Sequence, residues 1–546
     1  MKRILKLDFF VYGLVLSILT FLIFEQFSLL NYGDSIVGNS FICNSDSLIC
    51  YAYCKDVMNH IHNIANWSLG KFMSYFVNCM IMWLILLFTT KTILVQFIYG
   101  IVQFFLLIFS FNYLFKTIFK TMDGISLSIS NLLLSLLIVY SISNSDFIFL
   151  TNSFFLPYQT GSFIGVVISL ILFFKYLKVG NNTTRNLFIF THIFSIISNP
   201  IAIVYLSVPM IVAFLLLYFV NKIVDRKQNL RILLLLITTT IIGYIIYSTI
   251  KNTFYNVKYE LGLFTSFEAI AASFKFMFNQ YFVLITNNKL MGSIMVLVII
   301  SFIFSIYNSL KLLFFSEKGG IANNYFNIYS LYFVLFFILS FFAPAICGIY
   351  FDGYSIRYNI VILFVALLNI GLNLEFIRLN YAINRYIIPS IFGILFIIYF
   401  SFITYTAKKV SPFECFNKIE AYYPPLVKAT DELSKKYNVK NGIGDYWDAG
   451  FVSNLSKNNV RITSVFQDLR PYYNYCNYKN YYWTDYTQKI RVVYNFISLR
   501  NFSDTTTIWK IFDHTKIKKI SIDNYSFYIV PDFVINEQTE NIEILP

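Results

Sequence analysis

Residues 328–349 read IYSLYFVLFFILSFFAPAICGI, twenty-two consecutive positions without a charged side chain. As a helix this run extends about 33 Å, enough to cross a hydrocarbon core of roughly 30 Å. Runs of the same kind recur on both sides, at 72–88, 93–115, 125–139, 163–174, 187–205, 209–220, 232–250, 291–309, 361–374 and 387–402. An earlier run at 9–24 follows the basic start MKRILK and lacks a small-residue cleavage site, which predicts an uncleaved signal-anchor helix with its basic end inside. The expected total is about 12 transmembrane helices.

The composition agrees with lipid as the main solvent. Of 546 residues, 57% are hydrophobic, 20% aromatic and only 13% charged, against about 25% charged in a soluble domain. That mixture excludes a disordered chain, a disulfide-stapled miniprotein and an ordinary soluble enzyme. The net charge of +14 would point a soluble protein towards nucleic acid. Here the same Lys and Arg excess is explained by loops held on the cytoplasmic side, so no nucleic-acid partner is expected.

Loop charge sets the expected orientation. Lys175, Lys178 and Arg185, then Lys222, Arg226, Lys227 and Arg231, then Lys311 and Lys318, and finally Arg378 and Arg385 mark cytoplasmic turns. Counting crossings between them puts Asn199, the loop 251–290, the loop around Asp352 and the C-terminal region outside. The N-terminal half has the wrong parity, which predicts one short or re-entrant segment within 93–155. The chain divides into a polytopic domain, 1–405, with a long first outer loop at 25–70, and a polar extracytoplasmic α/β domain, 406–546. In the latter, helices are expected at 424–436 and 446–456, strands at 439–444 and 460–466, and a hairpin turning at Asp523-Asn524.

The first outer loop holds the densest polar set, with Asp34, Asp46, Lys55, Asp56, His60, His62, Tyr51, Tyr53 and Trp67. A carboxylate there can deprotonate an acceptor hydroxyl, and the aromatic faces of Tyr51 and Trp67 suit a sugar ring. The competing reading is a solvated loop with an aromatic belt. His60 and His62, two apart, point to different helix faces and make no shared metal site. The seven cysteines contain no CxxC pair and no metal pattern; Cys43, Cys50 and Cys54 crowd the first loop, where one disulfide or free thiols are both open. Arg357 enters an apolar run, which is costly unless it is partnered, and its fork matches phosphate. Lys55, Lys71, Lys251 and Lys258 are further cations, equally readable as headgroup contacts. Phe267, Ile270, Phe274 and Met277 share one helical face, predicting a helix in the interface plane that shapes a groove for a lipid tail or simply packs on the bundle. In the last domain Asp445, Trp447, Asp448, Asp468, Arg470 and the aromatic run 472–483 suit carbohydrate, or serve structure: Asp445 as a helix cap and Arg470 as an ion-pair partner.

The layout resembles the GT-C superfamily of polytopic glycosyltransferases, which includes protein O-mannosyltransferases and aminoarabinose transferases. More narrowly, it resembles a group of uncharacterised bacterial GT-C-like membrane proteins. The resemblance rests on DSLICYAYCKD followed by NWSL, on LPYQTG, SNPIAIVYLSVP and IRYNIVIL, and on GDYWDAGFVSNLSKNNVRITSVFQDLRPYY. It implies transfer of a sugar from a polyprenyl-phosphate donor to an envelope glycan or lipid acceptor, at the outer face of the bacterial cytoplasmic (inner) membrane. It further implies Asp46 as the base with Asp34 as second choice, and Arg357, Lys55 and Lys258 at the donor phosphate. Sugar or acceptor contacts fall to Tyr51, Trp67, Asn78, Gln159, Asn199 and Trp447. The chain departs from the pattern where Asn78, Gln159 and Asn199 stand in place of ionisable groups. Amides bind hydroxyls but neither act as bases nor hold a divalent cation strongly, so no cofactor is expected beyond a weakly held cation. A flippase, a transporter, or a glycan-binding assembly protein without chemistry is the alternative.

Overall fold

A computed structural model describes residues 45–59, 75–119, 124–142, 159–220, 226–254, 266–287, 289–315, 325–350, 355–380, 387–407, 423–472, 482–485, 490–500, 502 and 505–545. The expected anchor helix at 9–24 lies outside them. The helical part comprises α1 (Ser45–Met58), α2 (Met80–Leu86), α3 (Thr92–Ile118), α4 (Gly124–Ile142), α5 (Gln159–Val179), α6 (Asn182–Ser198), α7 (Val208–Phe219), α8 (Arg226–Phe254), α9 (Phe267–Asn287), α10 (Lys289–Leu310), α11 (Tyr325–Ile346), α12 (Ile360–Asn380) and α13 (Ile387–Ala407). Among the described residues seven helices, α3, α5 and α8–α12, are long and apolar enough to cross a membrane. That makes a multi-pass membrane protein the natural reading of the helical part.

The outward faces bear this out. On α8, Leu234, Ile241, Tyr244 and Ile245 are exposed, and on α13 so are Ile394, Ile397 and Phe400. A soluble surface does not tolerate such stripes, whereas acyl chains do. Within the apolar packing between helices some contacts are polar and close, as expected where lipid leaves no hydrophobic gain from pairing. Asn369 on α12 donates to Ser301 and Ser305 on α10, each at 3.0 Å. Ser126 on α4 donates to the buried Glu375 at 2.9 Å, and Arg378 clamps the same carboxylate at 2.6 Å. At Gly371 a Cβ would fall 2.3 Å from Ser130 Oγ, so α4 and α12 meet backbone to side chain.

Several expected spans change length. The 163–174 run grows into a 21-residue helix, because the flanking Gln159-Thr160-Gly161-Ser162 and Lys175–Val179 continue it. The 72–88 run is broken up, with a π-turn at Tyr75–Cys79 preceding the seven-residue α2. The 187–205 run stops at Asn199-Pro200, since proline disfavours helical backbone in the residue before it; Asn199 takes an extended conformation and a π-turn, Ile203–Ser207, leads into α7.

Lys175, Lys178 and Arg378 lie at one end of the bundle. Lys175 and Lys178, at the end of α5, reach Tyr113 and the Thr117 carbonyl at the end of α3. Tyr325, at the start of α11, donates to the Leu177 carbonyl at 3.3 Å. Phe119, Phe326 and Phe376 stack in sequence with centroids 5.5 and 4.2 Å apart, which brings the end of α12 and Arg378 to this same end. The opposite end therefore holds the start of α3, the start of α5, the end of α6 and the turn before α12.

The C-terminal region is a small α/β unit. Helix α14 (Pro425–Tyr437) leads into β1 (Asn441–Gly444), α15 (Tyr446–Leu455) and β2 (Arg461–Ser464). There follow β3 (Thr484–Asp485), β4 (Ile490–Arg491), β5 (Tyr494–Ser498), α16 (Thr506–Ile511), β6 (Lys518–Ile522), β7 (Tyr525–Ile535) and β8 (Ile542–Ile544). The sheet order is β2-β1-β5-β7-β6, with β8 on β7. β1 runs parallel to β2 and to β5, while β7 is antiparallel to β5, β6 and β8. The β6–β7 hairpin turns at Asp523, whose φ of 51° is left-handed and suits Asp. One face of the sheet shares an apolar core with the bundle, through Phe451 and Val452 of α15 and Leu48 and Tyr51 of α1. The other face closes its own core around Ile497, Ile508 and Phe533.

Candidate functional site

Helix α1, the described part of the expected first loop, packs along α15 of the C-terminal unit. Asp46 sits in the first turn of α1; its side chain is outside the described part, as are Asp34, Trp67 and Lys258 altogether. Tyr51 points inward and is fully buried. Its hydroxyl donates to the Thr90 carbonyl at 2.9 Å, and the Thr92 hydroxyl stands 3.0 Å from it and 2.9 Å from the Asn454 carbonyl. Tyr51 thus braces α1, α3 and α15 rather than offering a free ring to a sugar. The Lys55 ammonium lies 5.5 Å from the centre of that ring.

Two of the amides singled out in the sequence, Asn78 and Asn199, meet the start of α5, and the side chain of the third, Gln159, lies outside the described part. Asn78, in the π-turn, packs so tightly on Gly161 that a Cβ there would fall 1.5 Å from Asn78 Oδ1. The Tyr99 hydroxyl is 2.6 Å from the same oxygen. Asn199 donates to Ser162 Oγ at 3.1 Å and accepts from the Ile201 amide at 3.0 Å, initiating the chain's turn at Pro200. Gln159 opens α5 itself. Asn78 and Asn199 are buried, and each carries contacts that stabilise the fold.

Arg357 lies in the 3₁₀ turn Ser355–Asn359, which packs chiefly on α11 and α12. The described contacts do not bring this turn to α1. Beside it opens a small apolar cleft of about 30 Å³, lined by Tyr281, Met291, Met295, Phe341, Ile356 and Asn359 among others. Helix α9 forms one wall. Its packed face carries Ser273, Phe274, Met277 and Tyr281, whereas Phe267, expected on that face, is exposed. The length and composition of α9 would also let it span a bilayer.

On the α/β unit, the carboxyl ends of β1 and β5 meet where the chain reverses direction across the sheet, the usual place for a ligand in such folds. Asp445 caps α15, its Oδ1 accepting from the Asp448 amide at 2.9 Å. Asp448 is fully buried, accepts from Ser498 Oγ at 2.8 Å and pairs with Arg500 at 3.3 Å. Burial, then the neighbouring Asp445 carboxylate, push Asp448 up to about 7, against the pull of Arg500 and Ser498. Next to it the half-exposed Trp447 meets Tyr446 edge-on at 5.2 Å, and Tyr446, Tyr472 and Phe466 continue the strip at 5.9 and 4.6 Å. Arg470 pairs with Asp468 at 2.6 Å on the surface, as expected for a structural role.

Sequence reading missed two features. Ser498 and Arg500 become partners of Asp448 only through the parallel β1–β5 pairing, which no local pattern announces. The sequence spacing of the cysteines shows no metal motif, yet Cys50, Cys54 and Cys79 come together; the i, i+4 spacing of the first two was the available signal.

No protein-family model matches the chain, and a search of curated proteins finds no significant relative.

Proposed function

We propose that the protein is a membrane glycosyltransferase that moves a sugar from a polyprenyl-phosphate donor to a glycan or lipid acceptor of the bacterial envelope. The observation that supports this reading most is the gathering of the candidate elements at one end of the bundle. The starts of α3 and α5, the end of α6, the Arg357 turn and its apolar cleft, and α1 docked on the α/β unit all lie there, opposite Lys175, Lys178 and Arg378.

In this reading that end faces outward. The prenyl tail lies along the apolar cleft beside the Arg357 turn. Asp46 takes the proton of an acceptor hydroxyl, the hydroxyl oxygen bonds to the anomeric carbon, and the bond from that carbon to the phosphate oxygen breaks. Arg357, with Lys55 and Lys258, offsets the charge of the departing phosphate. The strip Trp447, Tyr446 and Tyr472 stacks on acceptor sugar rings. The second reading, binding or flipping without chemistry, is favoured by the structural engagement of Asn78 and Asn199.

A radiolabelled polyprenyl-phosphate sugar offered to the purified protein separates the two. Release of label to water or to an envelope acceptor supports transfer. Stable binding without turnover removes it and leaves the second reading.

A further inference from the structure

Cys50 and Cys54 lie one turn apart on α1, and Cys79 closes the π-turn that α1 packs against. All three thiols are buried, at 5%, 0% and 0% exposure. Their sulfurs lie within 4.8 Å of one another, with Cys50 and Cys79 at 3.5 Å. A disulfide needs about 2.05 Å, so the trio as it stands is reduced. Three sulfurs around one metal, with metal–sulfur bonds of about 2.3 Å, sit roughly 4 Å apart. The observed spacing requires shifts of only a few tenths of an ångström.

We propose that Cys50, Cys54 and Cys79 form a three-thiolate site for a soft monovalent cation, copper(I). Thiolates select copper(I) and zinc over harder ions. Zinc in closed sites takes four ligands, and among the described residues no further His, Cys, Asp or Glu joins the group. Three-coordinate copper(I) fits that donor count. On binding, each coordinating thiol releases its proton to solvent and the copper keeps its oxidation state. The apolar surroundings shield the centre from water and oxidants. The bound ion would tie α1, and with it Asp46, to the first apolar helix. The site stands on its own geometry and is independent of the transferase reading.

The test uses the full-length protein in detergent, reduced and free of oxygen, titrated with copper(I) against a competing chelator. One copper per chain is expected, and in mild denaturant, which opens the buried thiols of the metal-free protein to maleimide, copper should keep all three protected in the unsubstituted protein. Cys79→Ser should weaken binding at least about tenfold, in line with loss of a ligand, while Cys347→Ser, at a thiol outside the cluster, should leave it unchanged. The protection readout needs no variant and stands even if Cys79→Ser misfolds. Copper binding equal in the protein and in a folded Cys79→Ser variant, absence of maleimide protection, preference for zinc over copper(I), or isolation of the trio as a disulfide that takes no metal would each overturn the proposal.

Discussion

In the proposed reading Asp46, in the first turn of α1, acts as a base, whereas the buried Asp448 of α15 bears on stability, and each can be tested alone. General-base catalysis contributes about 10²–10⁴-fold. Asp46→Asn is therefore expected to lower sugar transfer in membranes by at least about 100-fold at equal protein abundance, and undiminished transfer would remove Asp46 from the chemistry. Asp448 concerns stability. Its folded value of about 7 lies above the ordinary 3.8, so between roughly pH 4 and pH 7 the folded state binds more protons than the unfolded state. The stability this group contributes is present below pH 4 and is lost as pH rises towards 7. Thermal midpoints measured from pH 4 to pH 8 should fall across that window in the natural protein. In Asp448→Asn the fall should be shallower; identical slopes would mean that Arg500 holds Asp448 ionised throughout.

Among the elements, the seating of the π-turn on the start of α5 is the tightest contact. Overpacking a fitted site costs about 1–3 kcal/mol, so Gly161→Ala should destabilise the protein by that order, and Asn78→Ala should recover part of the loss in the double variant. Chemical denaturation of the two single variants and the double variant checks this, with strict additivity as the adverse outcome. Those elements of the α/β unit that were readable carry their own local signals, whereas β3, β4, β5, α16 and β8 carry none that was read. Pro425 starts α14, Asp445 caps α15, and Asp523-Asn524 turns the last hairpin. The bundle was legible in outline only. Hydropathy locates apolar runs but not their ends, because a polar residue such as Ser162 enters a helix once a neighbour, here Asn199, bonds to it. The π-turns at Tyr75–Cys79 and Ile203–Ser207 have no periodicity that marks them. The candidate site was legible as a set of residue types; that Tyr51 would be a buried brace, and that Asn78 and Asn199 would meet one helix start, depended on long-range packing.

For the whole molecule, the position of Lys175, Lys178 and Arg378 at one end makes a sidedness prediction. Asn181, beside the Lys178 end, and Gln538, in the exposed turn after β7, are both accessible. In intact cells a membrane-impermeant maleimide should label Gln538→Cys and leave Asn181→Cys untouched until the cells are opened, relative to the unsubstituted chain. The reverse pattern would put the α/β unit in the cytoplasm, away from polyprenyl-linked donors presented outside.

The fit of Asn78 into the space above Gly161 also constrains how such a protein can vary over time. With the two positions 83 residues apart in sequence yet sharing one volume, neither can drift alone: a side chain gained at 161 survives only in descendants that have already trimmed 78. Any lineage that gains a longer side chain at 78 must keep a bare backbone at 161 or move the π-turn away from α5.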